Sequence, residues 1–153
     1  MWPLATSLCV TVALSITIAS ADPLAGKWTL NLQRSHYGGG AEPRRQETLI
    51  CQFDRDVLKC TIESVRANGR KLVGTFTAPY DGKRHPAAGI PDVDEVTLQK
   101  LDEFIADATF SYKGKPVFGY RAIRSDDGRS LTIVSVEPTT RVVQSSVVVY
   151  NRE

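Results

Sequence analysis

Turn chemistry recurs about every ten residues along this chain, which leaves room between turns for one strand but not for a strand and a helix. Asp54-Arg55-Asp56, Asn68-Gly69, Asp81-Gly82, Asp102-Glu103, Lys113-Gly114 and Asp127-Gly128 each separate two short alternating or β-branched runs. Asn-Gly and Asp-Gly tolerate positive φ and match the twist of paired strands, so they join antiparallel neighbours. No apolar period of about 3.6 residues persists over three turns, and the reading is all-β. The pattern predicts strands near 26–32, 46–53, 57–65, 71–79, 83–88, 94–101, 104–112, 116–124, 130–138 and 142–151. Sequential neighbours then pair. An up-and-down antiparallel meander of this length either closes into a small β-barrel of about 8–10 strands or leaves two edges exposed.

Ahead of this pattern, residues 1–21 carry no charged side chain, and Leu8 to Ile18 is apolar apart from Thr and Ser. Ala19-Ser20-Ala21 supplies a small-x-small cleavage site, so the segment reads as a signal peptide, although its first residues lack the usual Lys or Arg. The rival reading is an uncleaved anchor, for which the run is just long enough. Cys9 lies inside the apolar run, where no lipoprotein attachment is expected. Cleavage leaves residues 22–153 as one domain, exported to the periplasm or secreted, with no stable membrane insertion. All charged residues lie beyond position 21, and the net charge of +2 predicts solubility and little else. Basic and acidic residues alternate without a basic tract or interleaved aromatics, which argues against a nucleic-acid partner. A monomer is expected.

Two cysteines remain, Cys51 and Cys60, and an oxidising compartment favours a disulfide between them over two separate buried thiols. If they pair across a turn at Arg55-Asp56, the same register pairs Phe53 with Leu58 and Leu49 with Ile62, and all six share one face. A two-residue loop places the cysteines at a non-hydrogen-bonded site, with Cα atoms about 4.5 Å apart. A four-residue turn would move them to a hydrogen-bonded one.

Gly26-Lys27-Trp28 opens the first strand and is followed by Leu30 and Leu32, and the chain ends Tyr150-Asn151-Arg152. In the centre stand Tyr80-Asp81-Gly82-Lys83-Arg84-His85-Pro86, then Gly89, Pro91, Asp92, Asp94 and Val96. On these residues the chain resembles exported bacterial lipocalin-like proteins of the calycin type, a group of unassigned function. The resemblance spans residues 22–153. It implies a small β-barrel in which a basic residue near the last strand, Arg152, packs over Trp28 to close the barrel. It carries over no catalytic residue.

Few constellations invite chemistry. The only histidines are His36 and His85. Ser35, His36, His85 and Asp81 have neither a nucleophile elbow nor an oxyanion-hole signature around them. No metal site is expected, because a structural zinc needs four ligands and two of the four His and Cys side chains are better used in the disulfide. Asp92, Asp94 and Glu95 lack calcium-loop spacing. Residues 33–45, with His36, Tyr37, Gly38-Gly39-Gly40 and Pro43, form the one long link; lid and plain loop are both open, and a phosphate cradle lacks its helix.

The barrel interior is the remaining candidate. Phe104, Ala106, Ala108, Phe110 and Tyr112 alternate along one strand, two alanines framed by aromatics that leave space for a ligand or receive side chains from across the barrel. Trp28, Phe76, Phe118 and Tyr120 are further lining candidates. Arg121 shares a face with Val117, Gly119 and Ile123. In the lumen it would demand an anionic partner, and on the outer face it would leave Phe118 and Tyr120 inside. The expected function is non-covalent binding of a small hydrophobic or amphipathic ligand, with no catalytic residue and no cofactor. The alternatives are a filled barrel acting as an envelope or secreted interaction module, and a barrel isomerase or cyclase.

Overall fold

The computed structural model describes residues 22–153. The signal peptide expected over residues 1–21 lies outside them. The strands are β1 (Gly26–Leu30), β2 (Arg44–Asp54), β3 (Val57–Arg66), β4 (Lys71–Pro79), β5 (Arg84–Ala88), β6 (Glu95–Lys100), β7 (Ile105–Tyr112), β8 (Lys115–Arg124), β9 (Ser130–Val136) and β10 (Val143–Arg152). Each pairs with its neighbours in sequence, and β10 returns to β1, so the meander closes into a ten-stranded antiparallel barrel.

The turns act as their residues require. Arg55 and Asp56 have φ of 47° and 65°, both positive, which gives the β2–β3 hairpin a two-residue loop. The register that follows is Leu49 opposite Ile62, Cys51 opposite Cys60 and Phe53 opposite Leu58. Cys51 and Cys60 form a disulfide with Cα atoms 4.2 Å apart, at a non-hydrogen-bonded position of the ladder. Such a bond is compatible with an oxidising compartment. It closes a ten-residue loop, and its reduction is expected to lower the unfolding free energy by about 2–3 kcal/mol. Urea midpoints with and without reductant measure the effect; coincident curves would show that the bond adds nothing to stability.

β1 is shorter than the alternation of Leu30 and Leu32 predicts. Asn31 Oδ1 accepts from the Arg34 N–H at 3.2 Å and starts a single 3-10 turn over Leu32–Arg34, which turns Leu32 out to solvent. The long link that follows is tied down. His36 and Val147 exchange backbone hydrogen bonds of 2.7 and 2.8 Å. Gly38 lies against Ser145, where a Cβ would come within 2.4 Å of its Oγ.

At the opposite end Pro23 and Leu24 plug the barrel. Asp22 Oδ1 accepts from the N–H groups of Leu24 and Ala25, and the Leu24 carbonyl accepts from the Trp28 indole at 2.8 Å. Trp28 is fully buried, and the Arg152 guanidinium sits 5.2 Å from its ring centroid. Gly26 explains itself here: its φ is +140°, and a Cβ would crowd both Arg152 and the indole. The Gly-x-Trp opening is therefore a packing device.

Candidate functional site

The inward face of β3 reads Leu58, Cys60, Ile62, Ser64, Arg66, and across the ladder β2 contributes Phe53, Cys51, Leu49 and Glu47. The wall thus passes from apolar to charged along its length. One position further, β2 carries a bulge between Arg44 and Gln46, so Arg44 rather than Arg45 becomes the partner of Arg66. Re-aiming a side chain is a common use of a bulge. Arg44, Glu47, Ser64 and Arg66 all line the cavity inside the barrel.

These polar groups form one cluster. Arg44 Nε lies 2.8 Å from Glu47 Oε2, and Tyr150 Oη donates to Glu47 Oε1 at 2.5 Å. Burial opposes the charge on Arg44, but the Glu47 carboxylate together with the hydroxyls of Tyr150, Tyr120 and Tyr37 outweighs that cost and raises its pKa further. Burial, followed by the nearness of Glu47, holds the Tyr150 hydroxyl well above the ordinary tyrosine range, so it acts as a donor. The link after β1 supplies Tyr37, whose ring lies under the Arg44 guanidinium at 5.8 Å.

The facing wall comes from β7 and β8. Ala106, Ala108 and Phe110 of β7 lie opposite Ala122, Tyr120 and Phe118 of β8. Phe110 meets Phe118 at 5.0 Å and, from β4, Phe76 at 5.9 Å. Beside the alanines lies a cavity of about 120 Å³, apolar over most of its lining. That is smaller than the roughly 300–1,000 Å³ of sites for drug-sized ligands. It is closer to the engineered apolar cavity of about 150 Å³ that takes benzene.

The structure sorts the residues expected from sequence. Phe76, Phe110, Phe118 and Tyr120 line the cavity, and so do both cysteines. Trp28 belongs to the packed core beneath Arg152 and not to the cavity wall. Phe104 and Tyr112 also stand elsewhere. Phe104 precedes β7 in a turn held by Asp102, and its ring packs under Arg124 at the rim. Tyr112 is the last residue before the Lys113-Gly114 turn, beside a ladder irregularity between Phe110 and Ser111. It is exposed there, and Lys113 lies over its ring.

Arg121 points outward. Its Nε and Nη2 donate to the two carboxylate oxygens of Asp107 at 2.8 and 3.0 Å. Arg141 arrives from the β9–β10 loop and crosses β8 where Gly119 leaves space, since a Cβ there would come within 3.1 Å of its guanidinium. It binds Asp107 at 2.7 Å and Thr109 at 2.8 Å. The anionic partner that Arg121 demands is thus a protein carboxylate on the outer surface.

Compared with family models, curated proteins and solved structures, the chain finds no match.

Proposed function

We propose that the chain binds a small apolar or amphipathic molecule inside its barrel, reversibly and without a covalent step, outside the cytoplasm. The observation behind this reading is the cavity itself: a closed barrel with Ala106, Ala108 and Ala122 on its inner wall leaves about 120 Å³ unfilled among aromatic rings. Larger residues at the alanine positions would fill that space at no cost to the strand pattern. The volume limits the ligand to one ring or a short chain, well below a long-chain lipid. The disulfide, the uncharged leader and the likeness to exported lipocalin-like proteins support a location outside the cytoplasm. Among the described residues, the exposed large apolar side chains Leu32, Val73, Leu101, Tyr112 and Val117 sit on separate elements, and Val142 with Val143 is the one adjacent pair. The interaction-module alternative therefore has no feature of comparable weight.

Titration of the 15N-labelled protein with 1-hexanol and toluene tests this. Amide shifts are expected to move around Phe76, Ala108 and Phe118 and to stay fixed on the outer hairpin tips. Ala108→Phe is expected to fill the space and weaken binding by about tenfold or more, with a stability change of only about 1–3 kcal/mol. Saturating additions that leave the lumen amides unmoved would rule the reading out.

A further inference from the structure

We propose that the polar end of the lumen is an anion site, and that the molecule the barrel takes is a small organic acid with its carboxylate at Arg44 and Arg66. This rests on the lumen-binding reading and narrows its ligand class.

The register supplies the first reason. Arg44 and Arg66 are direct cross-strand partners, both line the cavity, and their side chains are only 14% and 15% exposed. Like charges placed opposite one another on a ladder are destabilising, and the more so out of water. A negative group between them removes the penalty.

The charge balance gives the second. Of the cavity-lining residues, Glu47 is the one carboxylate against two guanidiniums, so the counter-charge of Arg66 comes from outside the cavity lining. The nearest other carboxylate, Glu42, is 3.7 Å from Arg66 Nε and sits at the rim with 45% of its side chain exposed. A monoanion balances the lumen, whereas a doubly charged phosphate would overshoot it.

Donor geometry gives the third. Arg66 Nε and Ser64 Oγ are buried with no hydrogen-bond partner. Arg44 Nε faces Glu47 closely enough for an ion pair but not at a hydrogen-bonding angle. Both Glu47 oxygens are already engaged, one by Tyr150 and one by Arg44. A ligand carboxylate presents two coplanar acceptor oxygens, which match guanidinium donors and leave a lone pair for the serine hydroxyl. A ligand hydroxyl would satisfy one donor and leave the charge. The carbon chain then runs toward the alanine and aromatic wall.

The test compares hexanoate with 1-hexanol on residues 22–153 at low ionic strength, by calorimetry and amide shifts. Hexanoate is expected to bind about tenfold or more tightly than the alcohol. Arg66→Gln is expected to abolish that preference, and Ser64→Ala to reduce it by a smaller factor. Equal affinity of the wild-type protein for acid and alcohol overturns the anion site and leaves lumen binding standing. Binding of neither overturns both. A carboxylate preference that survives in both Arg66→Gln and Arg44→Gln also overturns the proposal. The wild-type comparison decides the matter even if a variant does not fold.

Discussion

Trp28→Ala is expected to lower the unfolding free energy by about 3–5 kcal/mol, a large share of the total for a domain of this size. Three losses coincide. The indole is the largest fully buried side chain among the described residues, and its removal leaves a void under the β1–β10 seam. Arg152 loses the ring face over which it lies, an interaction worth about 0.5–1 kcal/mol at a partly exposed site. The Leu24 carbonyl loses its indole donor, which loosens the segment that plugs the barrel end. Urea unfolding followed by circular dichroism gives the number, with Trp28→Phe as the milder companion. A loss under about 1 kcal/mol would mean that the seam is held by its backbone ladder alone.

Asp107→Ala is expected to cost about 2–3 kcal/mol at neutral pH, because two guanidiniums lose a nearly buried carboxylate partner. The figure is set below that of a fully buried pair because Arg121 and Arg141 keep 28% and 27% of their side chains in solvent. Burial pushes the Asp107 pKa upward, but hydrogen bonds from Arg121 and Arg141, backed by their charges, outweigh it and hold the carboxyl below the ordinary aspartate range. A carboxyl whose folded pKa is depressed contributes stability above its unfolded value, near 3.9, and loses it as pH falls through the folded value. The wild-type and Asp107→Ala stabilities should therefore differ at pH 7 and converge as the pH drops below about 4. A gap that persists undiminished at the acid end would assign the cost to lost packing instead of charge.

The barrel was legible because its information is local. Each expected strand lies within about two residues of the observed one, since Asn-Gly and Asp-Gly tips and two-residue alternation act over a handful of neighbours. The cysteine pair carried the β2–β3 register, and Leu49 with Ile62 and Phe53 with Leu58 follow from it. Continuing that stripe would have reached Glu47, Ser64 and Arg66, polar residues on an inward face, which is the signal for the lumen's charged end. Arg44 gave none, because it faces inward only through a bulge, and bulges leave no mark in composition. Arg121 was ambiguous for a different reason. Its partner Asp107 is buried by Arg141, which arrives from a distant loop, and no alternation pattern encodes that arrival. Phe104 and Tyr112 fail as lining residues because alternation describes which way a side chain points within a strand but not where the barrel rim cuts the strand off.

The pairing of β1 with β10 sets Trp28 beside Arg152 and brings the two ends of the described chain together. Every other ladder joins strands that are consecutive in sequence. The barrel is therefore a ring with no intrinsic first strand. A circular permutant that joined Glu153 to Asp22 through a short linker and opened at the exposed Asn68-Gly69 tip would keep every strand pair. Its slow, long-range closure would pass from β1–β10 to β3–β4, because the entropy of bringing distant segments together follows the cut in the chain and not the architecture.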